Sequence, residues 1–327
     1  MKKKILFVLS LLCLLTSCNS KKKEEDFEEQ VCILYTNDVH GGIDDDIGYA
    51  GLAAYKKDME QVCDNLTLVD CGDFSQGSYL GSVSKGECLI KCMNEVGYDY
   101  VTLGNHEFDY GIPQLASSLE KLDATPLCCN ITYIGTGTNY LENIKGYDIK
   151  DYGSFKVGYV GISTPGTISQ STPALFKEND EFVYNFASDN TGELFYSTVQ
   201  NAIDSCKTQG ADFIVLLAHL GVAETSGTQY TSINLIKNIK GANIVLDGLK
   251  ISSFELFDSY PEDAETKITY DINDNAMYVL GTSNTGNQQM MGFVLTYNGK
   301  VIVVDGGMRN EYRQLKNILT ALGGHVD

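Results

Sequence analysis

Four short segments carry the side chains that could do chemistry. They are Asp38-Val39-His40, Gly72-Asp73, Gly104-Asn105-His106-Glu107 and His219. Carboxylate, imidazole and amide groups together make a mixed oxygen and nitrogen ligand set, which suits divalent metals of intermediate softness. The chain has 4 histidines, and three of them stand in these segments. This concentration indicates a metal site more specifically than any single residue could.

An apolar, strand-like run leads into each segment. Val31–Asn37, Leu66–Cys71 and Val101–Leu103 precede the first three, and Phe213–Ala218 ends at His219. Ligands of an α/β sheet bind beyond the carboxyl ends of its parallel strands. The sequence therefore predicts that these strand ends meet at one edge of a sheet.

The intervals between the segments suit helical crossovers. Asp38 and Asp73 are 35 residues apart, and Asp73 and Asn105 are 32 apart, which is what one strand–helix–strand unit needs. The intervening Gly51–Val62 and Glu87–Val96 have helical periodicity. This alternation predicts a layered α/β fold with helices covering the sheet faces.

Each candidate ligand has a simpler interpretation when taken alone. Asp38 or Asp73 after a strand is most often a helix cap or a turn residue. His219 could be a core histidine, and Asn105 after a glycine could belong to a turn. Their joint occurrence at these spacings favours one shared site.

The wording of these segments resembles a known family. "ILYTNDVHGGI", "LVDCGDFSQGSYLG", "YDYVTLGNHEFDYG" and "KVGYVGISTP" are similar to the N-terminal domain of bacterial 5'-nucleotidases and UDP-sugar hydrolases, which are calcineurin-like metallophosphoesterases. The resemblance runs from about Val31 to Gly248, and it implies a metallophosphoesterase domain over residues 31–250. The implied activity is metal-dependent hydrolysis of phosphomonoesters of nucleotides or related small molecules.

The resemblance also implies a role for each matching residue. Asp38 and His40 would bind a first divalent ion, Asn105 and His219 a second, and Asp73 both. A bridging ligand must be an anion with two usable oxygens, which an aspartate supplies and an asparagine does not. Mn²⁺, Zn²⁺ and Fe²⁺ suit these ligands about equally.

His106 differs from the ligands around it. By resemblance its imidazole faces the substrate, where it stabilises the transition state or protonates the leaving oxygen. Asp109 would orient the ring and favour its charged form. Glu107 is interpreted as a structural acceptor in the same loop.

One motif of the family is absent. The family follows its Asp-Gly with His-x-His, which completes the coordination of both ions, whereas here Asp247-Gly248 precedes Leu249-Lys250-Ile251. Each ion would keep three protein ligands, and nothing after Gly248 resembles the family's substrate-binding domain. The alternative function is therefore a catalytically weak or inactive lipoprotein of the same fold. A third hypothesis is that the chain joins fragments of two proteins.

Composition excludes some functions. The chain has 327 residues, 43% hydrophobic and 20% charged, as ordinary globular proteins have. Its formal net charge is -19, and a phosphate-rich polymer would be repelled, so a nucleic-acid partner is not expected. The cysteines outside the leader lie in strand-like or helix-like runs and are expected to be free thiols in the core.

The first residues predict export. Lys2–Lys4 is a positive region and Ile5–Leu15 an apolar one too short to span a bilayer. Leu15-Thr16-Ser17-Cys18 resembles a bacterial lipobox, so residues 1–18 are interpreted as a lipoprotein signal with Cys18 lipidated; an ordinary secretory signal is the alternative. Residues 19–30 form a charged tether. The protein would be anchored to the bacterial membrane, facing outside the cytoplasm.

Residues 251–327 are the least specific part. Met277–Leu280, Gly292–Tyr297 and Val301–Val304 are strand-like, with Asn298-Gly299 typical of a hairpin turn, and Tyr312–Leu322 is helix-like. The last strand and helix faintly resemble the opening of a metallo-β-lactamase-type domain. A short hairpin-plus-helix appendage on the main domain is the alternative.

Overall fold

The computed structural model describes residues 30–44, 47–61, 63–221, 228–247, 277–280, 292–297 and 300–305. Helices and strands alternate through this part of the chain. The helices are α1 (Gly48–Met59), α2 (Tyr79–Ser84), α3 (Glu87–Val96), α4 (Ile112–Leu119), α5 (Thr167–Gln170), α6 (Glu193–Thr208) and α7 (Ser232–Asn238). The strands are β1 (Gln30–Thr36), β2 (Leu66–Asp70), β3 (Tyr100–Thr102), β4 (Thr125–Leu127), β5 (Thr132–Tyr133), β6 (Tyr147–Asp151), β7 (Lys156–Ser163), β8 (Lys177–Glu178), β9 (Glu181–Phe182), β10 (Tyr184–Asn185), β11 (Phe213–His219), β12 (Ile244–Asp247), β13 (Met277–Leu280), β14 (Gly292–Tyr297) and β15 (Lys300–Asp305).

Two sheets form the centre of the fold. The larger has the order β13-β14-β15-β1-β2-β3-β4, and the smaller has the order β12-β11-β7-β6. Strands β1 to β4 run parallel to one another, as do β7, β11 and β12. Side chains alternate along a strand. Val31 and Ile33 therefore face the core between the two sheets, while Cys32 and Leu34 face the core between the larger sheet and the helices that cover it.

Helices cover the two outer faces. α1 and α3 pack on the larger sheet, and α6 and α7 pack on the smaller. This helix–sheet–sheet–helix layering confirms the predicted α/β class. It also brings the carboxyl ends of β1, β2, β3 and β11 to one edge of the molecule.

Helix α3 illustrates how the sequence sets an element. It begins after Gly86 and ends before Gly97. The φ of Gly97 is 80°, which a residue with a side chain would adopt only with strain. Its buried residues Leu89, Met93 and Val96 face the larger sheet. Burying each such side chain contributes about 1.5–3 kcal/mol. The predicted bounds of this helix are confirmed.

Other predicted bounds shift by a few residues. β1 begins at Gln30, which the tether prediction had included, because this residue pairs with Val301 in β15. α1 spans Gly48–Met59 rather than Gly51–Val62. The rest of the tether, the predicted signal and Cys18 lie outside the described residues.

The C-terminal strands extend the larger sheet. β14 and β15 pair antiparallel, and β15 pairs parallel with β1. The strands predicted there are confirmed, whereas the helix predicted at Tyr312–Leu322 lies outside the described residues. The cysteines within the described part of the chain form no disulfide with one another, and most are buried as expected, whereas Cys88, Cys92 and Cys129 are half-buried. None of its helices is both long and apolar enough to cross a membrane.

Candidate metal centre

Backbone hydrogen bonds join the loops that follow β1 and β2. The Asp38 amide donates to the Gly72 carbonyl at 3.0 Å, and the His40 amide donates to the Asp73 carbonyl at 2.9 Å. Asp38, His40 and Asp73 have positive φ angles of 47°, 47° and 61°. Such residues cost of order 1–3 kcal/mol each and cluster at functional sites. The surrounding contacts therefore hold these three side chains against the backbone's own preference.

A buried carboxylate fixes the β3 loop to the β2 loop. Glu107 is 2% exposed, and it accepts hydrogen bonds from the amides of Asp73 (2.8 Å), Phe74 (2.9 Å), Ser75 (3.1 Å) and Gly104 (2.8 Å). Burial raises the pKa of the Glu107 carboxyl and the Asp73 charge adds to the effect, whereas the backbone donors oppose both. The contact set agrees with the interpretation of Glu107 as a structural acceptor.

Two glycines permit the close approach of these loops. A Cβ on Gly104 would lie 2.2 Å from a carboxylate oxygen of Asp73, and a Cβ on Gly72 would lie 2.5 Å from the Gly104 amide nitrogen. Gly72 also has a φ of 93°. Any side chain at either position would push the β3 loop away from Asp73.

Four of the predicted ligands, together with His106, form two clusters that share one carboxylate. Asp38, Asp73 and His219 each present a ligand atom, and these atoms lie within 4.8 Å of one another; His40, Asp73 and His106 do the same. Two clusters with one common carboxylate suit two neighbouring cations. The structure thus brings Asp38, His40, Asp73 and His219 together, but it groups Asp38 with His219 rather than with His40, and it groups His40 with His106.

Backbone carbonyls set the orientation of both ligand histidines. His219 Nδ1 lies 2.7 Å from the Cys71 carbonyl oxygen, and His40 Nδ1 lies 3.2 Å from that of Gln76. A carbonyl only accepts, so each Nδ1 carries a proton and each Nε2 is left to bind either a proton or a metal ion. Metal-ligating histidines use their other nitrogen in this way. No sequence pattern indicated these two carbonyl partners.

The Nε2 atom of His219 has no hydrogen-bond partner among the described residues. His219 is fully buried, and its Nε2 lies 3.0 Å from Asp73 Oδ2 without the alignment of a hydrogen bond. A buried polar atom left unpaired costs free energy. A cation between His219 and Asp73 would satisfy it, so the residues present fit a metal.

Charges at the site shift the pKa values of its groups. Burial, the largest single effect, lowers the pKa of His219, but the charge and close contact of Asp73 and the charge of Asp38 together raise it to about 10. Burial likewise raises the pKa of Asp73, but the charge and close contact of His219, with the hydrogen bond from the His106 amide, together hold it below the ordinary value. The Asp38 carboxylate, whose Oδ1 lies 3.7 Å from His40 Nε2, is the largest cause of the raised pKa of His40. Without a cation, protons therefore take the place of metal charge here.

His106 and Asp109 form a separate pair at the edge of the site. His106 Nδ1 lies 2.6 Å from Asp109 Oδ2, and Ser171 donates to the other Asp109 oxygen at 2.9 Å. The His106 amide donates to Asp73 Oδ1 at 2.8 Å, and this bond fixes the preceding Asn105, which is 5% exposed. Ser171 was not expected from the sequence, because it is 62 residues from Asp109.

The end of β12 reaches the same edge. Asp247 pairs with Ala218, next to His219, and its Oδ1 accepts from the amides of Leu220 and Gly221 at 3.0 Å each. Its other oxygen accepts from the Ser232 hydroxyl. The predicted ligand-replacing residues that follow, 249 and 251, lie outside the described part of the chain.

Comparison with known proteins identifies the relatives of the chain. Residues 65–246 match the family model of the bacterial capsule synthesis protein PGA_cap. The chain is 32% identical over 234 residues to a snake venom 5'-nucleotidase of Gloydius brevicauda, covering 67% of this chain and 36% of that protein. It is 30% identical over 258 residues to the trifunctional nucleotide phosphoesterase protein YfkN of Bacillus subtilis, covering 69% of this chain and 17% of that protein. The chain spans about a third or less of the length of these relatives.

Solved structures share the fold. The 5'-nucleotidase precursor of Thermus thermophilus has a TM-score of 0.58 at 19% identity, covering 88% of this chain and 58% of that one. The calcineurin-like phosphoesterase YfkN of Bacillus subtilis has a TM-score of 0.56 at 22% identity, covering 89% of this chain and 95% of that one. With the ligand clusters described above, these relationships show that the chain belongs to the PGA_cap family and, with its 5'-nucleotidase homologues, to the calcineurin-like metallophosphoesterases.

Proposed function

We propose that this protein is a metal-dependent phosphomonoester hydrolase acting on nucleotides or related small phosphoesters. The observation that carries the proposal is the buried, unpaired Nε2 of His219 facing the Asp73 carboxylate. Asp38 and His40 supply further ligand atoms near the same carboxylate. The 5'-nucleotidase and nucleotide phosphoesterase relatives support the substrate class.

The ligand set divides around Asp73. By resemblance to the family, Asp38 and His40 would hold one divalent ion and Asn105 and His219 the other, with Asp73 shared. The geometry instead groups Asp38 with His219, and His40 with His106, around Asp73. When bound, such ions neutralise charge on the phosphoryl oxygens and lower the pKa of a water molecule. The chain's net charge of -19 opposes an anionic substrate, so the substrate's phosphoryl group would be held through the ions.

His106 would handle the proton of the leaving group. Its Nδ1 is held by Asp109, which leaves Nε2 to give a proton to the oxygen that departs from phosphorus. Asp109 would hold the imidazole in the orientation that this transfer needs. Ser171 keeps the Asp109 carboxylate turned toward the ring.

A weak or inactive protein of the same fold is the second candidate. The sequence observation that favours it is the replacement of the family's two last histidines by Leu249 and Ile251. Each ion would then have three protein ligands, and apolar side chains beside a dication contribute nothing to its binding.

The proposed location is outside the cytoplasm, with the chain anchored through a lipidated Cys18. A Cys18→Ala variant should move from the membrane fraction to the soluble fraction. Unchanged fractionation would refute the lipobox interpretation.

Metal content and hydrolysis of an aryl phosphate by the same purified protein test the activity. We expect bound Mn, Zn or Fe, turnover that stops on chelation, and recovery when the ion is returned. Bound metal without turnover would favour the inactive alternative. If the purified protein contains no metal and shows no turnover, the proposal is refuted.

A further inference from the structure

The large apolar side chains of helix α2 are exposed to solvent rather than packed into the core. Tyr79, Leu80 and Val83 are 81%, 54% and 67% exposed, whereas the buried residue of this helix is Gly81. Residues three and four apart share a helix face, so Val83 adjoins both Tyr79 and Leu80. Single exposed apolar residues are ordinary, but a contiguous group marks a contact surface. We call these three residues the α2 patch.

The α2 patch adjoins the metal centre through the backbone. Gln76, whose carbonyl accepts from His40 Nδ1, is three residues before Tyr79. A Cβ on Gly77 would lie 2.3 Å from the His40 carbonyl oxygen. The N-cap of α2, Ser78, lies against Gly41, where an added Cβ would be 2.5 Å from its hydroxyl. The helix therefore starts directly beside the loop that carries His40.

The metal centre is accessible at His40 and His106. The side chains of Asp73 and His219 are 3% and 0% exposed, whereas those of His40 and His106 are 40% and 33% exposed. The His40 and His106 rings meet edge to face with centroids 5.2 Å apart. The exposed His40 and His106 rings are therefore the accessible part of the centre, and α2 begins beside the loop that carries His40.

We propose that the α2 patch binds the leaving group of the phosphoester, and that this group carries an aromatic ring such as a nucleobase. The inference rests on the proposed function. Tyr79 offers a flat, exposed ring on which any base can stack, and Leu80 and Val83 offer the apolar area beside it. A sugar phosphate without a base would leave this surface unused.

Two substrates that differ in the base alone test the inference. Adenosine 5'-monophosphate and ribose 5-phosphate carry the same phosphoester on the same sugar. In a Tyr79→Ala variant, we expect kcat/KM for the nucleotide to fall about 5-fold to 100-fold, mostly through KM, because stacking on one aromatic side chain has that value. The kcat/KM for ribose 5-phosphate should not change. A Tyr79→Phe variant, which keeps the ring, should hydrolyse the nucleotide with the kcat/KM of wild type.

Ile236→Ala is the matched control, because Ile236 is also an exposed apolar residue, 54% exposed, but lies on α7. Neither variant should change the melting temperature. Equal losses on both substrates in Tyr79→Ala, or no loss on either, would overturn the inference. So would a variant that loses self-association while hydrolysing both substrates normally, because the patch would then bind a second copy of the chain.

A binding measurement separates this inference from the proposed function. The chain has no tryptophan, so a Tyr79→Trp variant carries one indole reporter in the patch. Adenosine 5'-monophosphate should quench its fluorescence and ribose 5-phosphate should not, even if wild-type protein hydrolyses neither. Absence of quenching by the nucleotide would overturn the inference whether or not the protein is active.

Discussion

The Nε2 atom of His219 lies 3.0 Å from Oδ2 of Asp73, in a position where neither group is solvated. The other histidine nitrogen is already used by the Cys71 carbonyl, and the other Asp73 oxygen already accepts from the His106 amide. Each group therefore has one unused ligand atom, and the two atoms face each other. This arrangement gives several testable consequences.

Asp73→Asn should remove the metal while the fold persists. The amide oxygen of asparagine can still accept from His106, but the side chain no longer carries the negative charge that two cations would share. We expect loss of bound metal by elemental analysis and a fall in any hydrolysis of at least about 100-fold. The control is Lys57→Ala on the exposed face of α1. Equal metal content in both variants would refute the assignment of Asp73.

The metal-free protein should lose stability as the pH rises. In the folded state the pKa of His219 is raised from 6.5 to about 10, so the stabilisation from its charged form is present below pH 6.5 and is lost toward pH 10. The melting temperatures of wild type and His219→Gln, both freed of metal with a chelator, measure this loss of stability between pH 6.5 and pH 9.5. Wild type should lose more than the variant across the interval. A smaller loss in wild type than in the variant would contradict the charge pairing.

His106→Ala should separate proton transfer from metal binding. Metal content should be unchanged, and turnover should fall about 10²–10⁴-fold, the usual value of a general acid. Asp109→Asn should give a smaller loss of the same kind, because its amide can still orient the ring without its charge. If His106→Ala loses metal, the imidazole is a ligand, which its nearness to His40 and Asp73 permits.

Glu107→Gln should weaken the contact between the β2 and β3 loops that carry the ligands. The carboxylate accepts from four amides, and a glutamine presents an NH₂ group to some of these donors. Each buried donor left unpaired costs about 1–3 kcal/mol, so we expect a lower free energy of unfolding and reduced metal content. Glu95→Gln, at an exposed position on α3, should change neither. An unaffected stability would show that the loops are held by other contacts.

Leu249→His combined with Ile251→His should restore missing ligands. Both positions lie outside the described residues, but β12 ends at Asp247 beside Ala218, next to His219. Metal affinity and aryl phosphatase activity should each rise at least about 10-fold. Each single change should recover little, because hydrolysis needs both ions. A folded double variant with no gain in metal would place this segment away from the site.

The sequence by itself determined the elements and the candidate ligands. Periodicity predicted α3 with its bounds, because its apolar residues recur at helical spacing from Glu87 to Val96, whereas it placed the bounds of α1 a few residues too late. The Asp-x-His, Gly-Asp and Gly-Asn-His-Glu segments predicted which strand ends would meet, since parallel strands place their carboxyl ends at one edge. Such patterns are local, and a single chain segment carries them.

The tertiary structure decided the contacts between segments distant in the chain. Glu107 binds amides more than 30 residues away, Ser171 supports Asp109, and the Cys71 carbonyl is 148 residues from the His219 ring it orients. Sequence patterns do not encode such pairs, because a backbone carbonyl or amide is the same in every residue. Their partners are selected by how the loops pack, and that packing leaves His219 Nε2 facing Asp73.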